Sequence, residues 1–369
     1  MRLYVLAMAC LLAPAAPLGA QAPAGEYAGQ SGKELFQAAC SACHGADGKG
    51  APRVMVGFEQ PLPDFTDCNF ASREPESDWV SIVHSGGPVR GFSQIMPSFA
   101  EAFSGEEITR IVRHVRSLCT ERAWPRGDLN LPRPMVIEKA FPEDELVMTT
   151  TIAAEGPGNV SNLFIYEKRF GARSQIELKA PITALRGTAG GWRGAVGDTE
   201  IGFKRAVFHT MRTGSLLTAG AEVVLPTGNR AFGAGNGVTV FEPYLAAAQI
   251  LPSDGFLHFQ GGFEVPRDRS RVPAEMFWRT AVGKSFFQDA GRGRAWSPML
   301  EVLAARNLVP RTSTSWDLLP QMQVSLNKRQ HLLASVGLRI PVTNAGPRTT
   351  QLMFYLLWDF FDGGLRDGW

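Results

Sequence analysis

The sequence predicts two domains, a small all-α domain followed by an all-β domain that forms a transmembrane barrel of about 12 antiparallel strands. Apolar residues recur at helical spacing through residues 30–122. Prolines and little periodicity mark residues 123–142, and apolar and polar residues then alternate through residues 143–369. A chain of 369 residues is long enough for two domains, each with its own core.

The charge balance and the motifs that the chain lacks exclude several classes of protein. Lys and Arg together number 37 and Asp and Glu 35, so the net charge gives no field that would attract a nucleic acid. The sequence contains no phosphate-binding loop, dinucleotide fingerprint or hydrolase triad motif. We therefore expect no nucleic-acid partner.

The first twenty residues have the layout of a secretory signal peptide. Arg2 precedes an apolar run over residues 3–12, and small residues follow up to Ala20. We expect residues 1–20, with Cys10, to be removed on export. Because no other stretch approaches about eighteen apolar residues, we expect no transmembrane helix.

Helical signals delimit the first domain. Ser31 with Glu34, and Ser104 with Glu107, have the spacing of capping boxes at helix starts. Residues 75–84 predict a short helix that ends before a Gly-Gly-Pro breaker. The closing helix has an apolar face formed by Ile108, Ile111, Val112, Val115 and Leu118.

The pentapeptide Cys40-Ser41-Ala42-Cys43-His44 is the chemical centre of this domain. Two thiols and an adjacent imidazole at this spacing form the attachment signature of c-type haem. A zinc site would need a second Cys or His pair, and the next cysteines, Cys68 and Cys119, stand singly. A redox dithiol would follow a strand, whereas a helical segment precedes this one.

The first domain resembles a class I c-type cytochrome. The resemblance is carried by Gly32 and Phe36 in the first helix, the pentapeptide, Met96-Pro97 and the closing helix. It implies one covalent haem c, with Cys40 and Cys43 as thioether anchors, His44 as the proximal iron ligand and Met96 as the distal ligand. Met55 is the competitor for the distal place, but it lacks a following proline.

A His/Met ligand pair fills both axial positions of the iron, so it favours an electron carrier over a substrate-transforming enzyme. His84 is the one further histidine near the motif that would suit an open distal face, but we expect it at the end of its helix. We interpret His114 as part of a solvated helix face. Cys68 and Cys119 form a disulfide in an oxidising compartment, or else remain as two buried thiols.

Alternation in the second half predicts strands with one apolar and one polar face. In one segment Ile176, Leu178, Ala180 and Ile182 oppose Gln175, Glu177 and Lys179. The segments reach the ~9–11 residues that cross a membrane, and aromatic residues gather at their ends. Residues 352–361 have the pattern of a last barrel strand. A soluble β domain is the alternative, because a sandwich also alternates.

Two stretches of the β half resemble a family of outer-membrane transporters named for phenol meta-pathway gene clusters. They are residues 196–202 and 222–228. The layout of one haem domain and one barrel also resembles fused cytochrome-porins, which oxidise ferrous iron outside the cell. This chain departs from them in its full-sized cytochrome domain and smaller barrel.

Charged residues on the polar strand faces have two interpretations. They form a selectivity lining, or they pair with one another and plug a narrow lumen. The set is Glu177, Lys179, Glu200, Lys204, Glu222, Glu301, Asp317, His331 and Arg339.

The sequence thus favours electron transfer at the outer membrane, with the cytochrome domain facing the periplasm. Its partners would be outer-membrane lipid and a periplasmic redox protein or soluble mediator, with extracellular electron exchange and iron oxidation as further uses. The alternatives are a solute channel with a cytochrome docking or sensing module, and a secreted soluble oxidoreductase.

Overall fold

The structure is a computed structural model that describes residues 27, 29–57, 62–156, 158–186, 191–343 and 348–360. The predicted signal peptide and Phe361, at the end of the predicted last strand, lie outside these residues. Among the helices of the described ranges, none is long and apolar enough to cross a bilayer.

Within the described residues six α-helices build the amino-terminal domain, and both predicted capping boxes are confirmed. The Ser31 hydroxyl accepts from the Glu34 N–H at the first helix, and the Ser104 hydroxyl accepts from the Glu107 N–H at the last. The helices are α1 (Gly32–Ala39), α2 (Ser41–His44), α3 (Arg53–Val56), α4 (Cys68–Ala71), α5 (Glu76–Ser85) and α6 (Gly105–Ser117).

Helices α1 and α6 cross at Gly32. A Cβ atom on this residue would lie 2.0 Å from the carbonyl oxygen of Arg110, so only glycine allows the two backbones to approach this closely. The core beside the crossing contains Leu35 and Phe36 from α1 and Ile108 and Ile111 from α6. The apolar face predicted for α6 is buried at Ile108, Ile111, Val112 and Val115, whereas Leu118 lies just beyond the helix and is half-buried.

The second half forms one antiparallel sheet that closes on itself. In the described ranges twelve strands form the ring, and the short strands β4 and β10 pair with β3 and β11. The predicted fold of a small all-α domain followed by a 12-stranded barrel is confirmed. The strands are β1 (Glu145–Ala153), β2 (Asn159–Phe170), β3 (Ser174–Arg186), β4 (Trp192–Val196), β5 (Thr199–Thr210), β6 (Ser215–Leu225), β7 (Val240–Leu251), β8 (Gly255–Pro266), β9 (Glu275–Lys284), β10 (Phe286–Phe287), β11 (Ala295–Asn307), β12 (Ser315–Ser325), β13 (Leu332–Pro341) and β14 (Gln351–Asp359).

The barrel is apolar outside and polar inside. On β3, Ile176 is 49% exposed, whereas its neighbour Glu177 is 5% exposed because it points into the lumen. The same inversion recurs around the ring, with exposed Leu245 and Phe354 and buried Glu301 and Lys204. Because a soluble sandwich buries its apolar face, this inversion excludes the sandwich alternative.

The two ends of the barrel differ in the length of their connections. At the end where β1 begins, the connections are residues 171–173, 211–214, 252–254, 285–294 and 326–331. At the other end they are residues 154–158, 187–198, 226–239, 267–274, 308–314 and 342–350, which are longer on average. The end with the shorter connections is the one that carries the helical domain.

The proline-containing segment between the domains enters the barrel. We call residues 129–144 the plug. Leu129, Ala140 and Phe141 belong to one buried cluster with side chains of the barrel wall. The sequence predicts this segment as an extended connector, and it has almost no regular structure, but its prolines gave no indication that the lumen surrounds it.

Candidate functional site

The pentapeptide places two free thiols and an imidazole on one turn of helix. Helix α1 ends at Ala39, Cys40 follows it, and α2 then runs from Ser41 to His44. Cys40 is buried and Cys43 is half-buried. Burial, together with the neighbouring Cys43, raises the pKa of the Cys40 thiol to about 11. Neither thiol takes part in a disulfide.

One ring nitrogen of His44, Nδ1, is buried without a hydrogen-bond partner among the described residues. The imidazole ring lies 4.9 Å from the ring of Phe65, which in turn lies 5.5 Å from that of Trp79. Burial lowers the pKa of His44 and so favours the neutral imidazole, the form that binds iron.

The two methionines that compete for the distal place differ in their surroundings. Met55 lies on α3 and is 77% exposed. Met96 is half-buried, and its carbonyl oxygen accepts a hydrogen bond of 3.0 Å from the Gly87 N–H. The free thiols, the imidazole of His44 and a thioether on an ordered loop are donors that fit a covalently attached haem.

The other two histidines of the domain lie outside this donor set. His84 occupies the last turn of α5, as expected, and its Nδ1 is 2.9 Å from the Ser85 hydroxyl. His114 is not simply a solvated residue, since its ring packs edge-on against Phe36 at 5.4 Å. Burial is the main cause that lowers the pKa of His114.

A disulfide joins Cys68, at the start of α4, to Cys119, just beyond α6. It closes a loop with a sequence separation of 51 residues, which includes α5 and Met96. The structure thus favours the disulfide over the two free thiols that the sequence left open.

Glu301 holds the tip of the plug. This residue on β11 is fully buried, and its carboxylate accepts hydrogen bonds from the backbone N–H groups of Met135, at 2.6 Å, and Ile137, at 3.1 Å. The Gln321 amide on β12 also donates to Glu301. Backbone donors from the plug therefore stabilise the buried carboxylate on the barrel wall through hydrogen bonds.

Lysines of the wall pair with carboxylates of the wall and the plug. The Lys179 ammonium lies 2.7 Å from Glu177 and 2.8 Å from Glu222. The Lys204 ammonium donates to Glu138 of the plug and to the carbonyl of Lys139, both at 2.7 Å. The lumen charges therefore pair with one another, which was the second interpretation of the sequence.

Three buried carboxylates come close enough together to resemble a metal site. One oxygen from each of Glu138, Glu167 and Glu177 lies within 4.8 Å of the other two. However, Arg133 lies 2.8 Å from Glu167, and lysine ammonium groups neighbour the other two carboxylates. These side chains supply the positive charge that a metal ion would otherwise supply to the three carboxylates. We therefore interpret the cluster as part of the contacts that hold the plug.

Of the remaining predicted lumen residues, Glu200 lies 3.9 Å from the Lys179 ammonium, and the other three separate into two groups. Asp317 pairs with Arg339 at 2.6 Å inside the barrel, on the side of the longer connections. His331, predicted to line the lumen, instead lies at the mouth, where its Nε2 is 3.2 Å from Glu74 of the helical domain. The prediction for His331 was wrong because β13 begins one residue later, at Leu332.

Sequence reasoning missed the residues that fasten the helical domain to the barrel mouth. Arg90 is 2% exposed and donates to carbonyl oxygens of Gly291 and Arg292 in the connection between β9 and β11. Arg73 pairs with Asp144 at the start of the barrel. Contacts between residues 201 positions apart leave no periodic signal in one sequence.

Comparison with known proteins gives one family match, to the helical part of the chain, and several similar solved barrel structures. Residues 28–115 match the family described as cytochrome c oxidase, cbb3-type, subunit III. An outer membrane channel from Pseudomonas putida F1 is 14% identical with a TM-score of 0.44, over 62% of this chain and 99% of that chain. The KdgM porin is 11% identical with a TM-score of 0.38, over 58% of this chain and 99% of that chain. The NanC porin is 9% identical with a TM-score of 0.40, over 57% and 97%.

At these identities, the barrel assignment rests on the strand pairing of this chain and on the inversion of its polar and apolar faces. The family match covers the helical domain alone. Together they agree with the layout that the sequence predicted: residues 28–115 match a cytochrome c family model, and the same chain continues into a closed 12-stranded antiparallel barrel.

Proposed function

We propose that this protein is a one-electron carrier anchored in the outer membrane. Its single haem c is attached to Cys40 and Cys43, with His44 as the proximal ligand and Met96 as the distal ligand. When bound, the haem supplies a one-electron redox couple. The residues of the chain bind it, exclude water from it and place it at the barrel mouth.

One observation favours the electron-carrier function over the solute-channel function. The cytochrome domain is bound at the mouth of a barrel whose lumen already contains the plug. Backbone N–H groups of the plug bind Glu301, and Glu138 of the plug binds Lys204. An open solute path would require these buried contacts to break. The barrel therefore serves as an anchor and a scaffold for the cytochrome domain.

The proposed location follows from the surface of the barrel. Its exposed aliphatic and aromatic side chains suit the hydrocarbon of a bilayer. Outer-membrane barrels have short periplasmic turns and longer outer loops, and the helical domain sits at the end with the shorter connections. This asymmetry supports a cytochrome domain that faces the periplasm.

The periplasmic position defines the partners. A haem at the inner mouth lies on one side of a hydrocarbon band of about 25 Å. We therefore infer that the partner is a periplasmic redox protein or a soluble mediator. Electron exchange with an extracellular donor such as ferrous iron requires a further carrier across the band.

The test is a redox measurement on closed vesicles that contain the full-length protein in one known orientation. A membrane-impermeant reductant is added to one side at a time, and haem absorbance is followed. We expect rapid reduction only from the side that carries the short connections. Reduction at equal rates from both sides, or ion flux through the wild-type barrel, would contradict a carrier on a closed anchor.

A ligand variant tests the assigned iron site separately. Met96→Ala should retain covalent haem but lose the methionine–iron charge-transfer band and have a lower reduction potential, because a thioether ligand raises the potential. Met55→Ala is the matched control and should retain both properties. The assignment fails if Met55→Ala, rather than Met96→Ala, removes the band.

A further inference from the structure

The loop that carries Met96 lies against the short 3-10 turn Gly87–Arg90. The Gly87 N–H donates to the Met96 carbonyl oxygen at 3.0 Å. A Cβ atom on Gly86 would lie 2.9 Å from the same oxygen, so the two stretches of backbone are in direct contact. The position of the Met96 backbone is therefore coupled by direct contact to that of the 3-10 turn.

Arg90 fastens this turn to the barrel. Its Nη1 donates to the Arg292 carbonyl at 2.9 Å, and its Nη2 donates to the Gly291 carbonyl at 2.6 Å. Its Nε and Nη2 also donate to one carboxylate oxygen of Asp78 on α5, at 3.0 and 2.6 Å. All three guanidinium nitrogens of Arg90 thus donate hydrogen bonds. Only the planar guanidinium of arginine presents donors in the directions of all these acceptors.

Further contacts reinforce the same junction. The Arg292 side chain approaches Nδ1 of His84 at 3.3 Å. The guanidinium of Arg329, in the neighbouring barrel connection, lies 4.6 Å from the ring centre of Phe92. Gln330 donates to the Gly293 carbonyl at 2.7 Å, so the connection 326–331 supports the connection 285–294. The barrel side of the junction is therefore itself braced.

We propose that the barrel connection 285–294 supports the distal-ligand loop, and that Arg90 is the positioning residue through which the barrel sets how firmly Met96 binds the haem iron. The inference rests on the proposed function, because it takes Met96 as the ligand. A firmly held thioether favours the reduced iron and resists replacement by other ligands. The barrel would then tune the carrier as well as anchor it.

The test uses the full-length protein with haem, in detergent, and the variant Arg90→Lys. Lysine keeps a positive charge beside Asp78 but cannot reproduce the fork to both carbonyl oxygens. We expect about a tenfold gain in the affinity of the ferric haem for imidazole, which competes with Met96. We expect the reduction potential to fall by about 59 mV, the equivalent of a tenfold change in a one-electron equilibrium.

A second variant changes the barrel side alone. Gln330 has a φ of 61°, so Gln330→Gly keeps the backbone conformation while it removes the support of Gly293. We expect smaller changes in the same direction. Arg113→Lys is the matched control, because Arg113 lies on α6 with 70% of its side chain exposed.

The inference is overturned if Arg90→Lys and Gln330→Gly both match Arg113→Lys in imidazole affinity and in potential. In that case a methionine–iron band in the wild-type spectrum would leave the proposed function standing. If the wild-type protein lacks haem or this band, the proposed ligand set fails, and the inference fails with it.

Discussion

The carboxylate of Glu301, on the barrel wall, accepts a hydrogen bond of 3.1 Å from the backbone N–H of Ile137, in the plug. A fully buried carboxylate needs compensation for its lost hydration, and here the plug backbone supplies it. The same contact therefore stabilises both the wall and the plug.

Substitution of Glu301 should loosen the plug. In Glu301→Gln one oxygen still accepts a hydrogen bond, but the new NH₂ group faces backbone donors. We therefore expect the free energy that stabilises the plug in its bound position to fall by about 2 kcal/mol. Hydrogen exchange of the amides at residues 135–137 should be roughly thirty-fold faster. The control is Glu264→Gln, on the lumen wall away from the plug. Equal exchange in the two variants would show that Glu301 does not hold the plug.

The ion pair between Lys204 and Glu138 should show strong coupling. Lys204→Met removes the nearer of the two lysines beside the buried Glu138 carboxylate and leaves Lys179 at 3.8 Å, and breaking such a buried pair typically costs about 3–5 kcal/mol. The double variant Lys204→Met/Glu138→Gln should lose less than the sum of the single losses. Urea unfolding in lipid vesicles, followed by tryptophan fluorescence, measures the free energies, with exposed Lys328→Met as the control. Additive losses would mean that the pair is not coupled.

Features of this protein could be predicted from the sequence where they depend on residues close together in the chain. Capping boxes, the CxxCH spacing and strand alternation are local, so residues such as Ser104, His44 and Ile176 indicated their environments directly. The position of the plug and the contacts of Arg90 with the barrel connection involve residues far apart in the chain. Such contacts produce no periodic pattern in a single sequence. Met96 was distinguished from Met55 by one neighbouring proline. That proline is a local signal for a rigid loop, and it carries no information about the distance between Met96 and the iron.

The disulfide should stabilise the cytochrome domain. A cross-link that closes a loop of this length, 51 residues, lowers the entropy of the unfolded chain by the equivalent of about 4 kcal/mol. Cys68→Ala/Cys119→Ala should therefore unfold its haem domain at lower urea concentration, as followed by haem absorbance. The barrel transition, followed by circular dichroism, should be unchanged. An unchanged haem transition would contradict this prediction.

The folding stability of the helical domain should decrease as the pH rises through the range of Asp78. Burial raises the pKa of this carboxyl from 3.8 to about 6, against the opposing attraction of Arg90. Since the folded state then binds the proton more tightly than the unfolded state, the Asp78 contribution to stability is fully present below about pH 4 and is lost as the pH rises to about 6. The groups that face it include Glu74 and His331.

This pH dependence can be isolated by substitution. In Asp78→Asn the loss of stability of the haem domain between pH 4 and pH 6 should be smaller than in the wild type. Urea unfolding at several pH values measures the difference. If the two proteins show the same pH slope, another group is responsible.

The most direct test of a haem carrier anchored by its own barrel is haem staining of a denaturing gel after separation of outer-membrane and soluble fractions. A haem-positive band should appear at the full chain in the outer-membrane fraction. In Cys40→Ser/Cys43→Ser the protein should stay in that fraction without the stain. A haem-positive full chain in the soluble fraction, or an outer-membrane chain that never stains, would contradict the account.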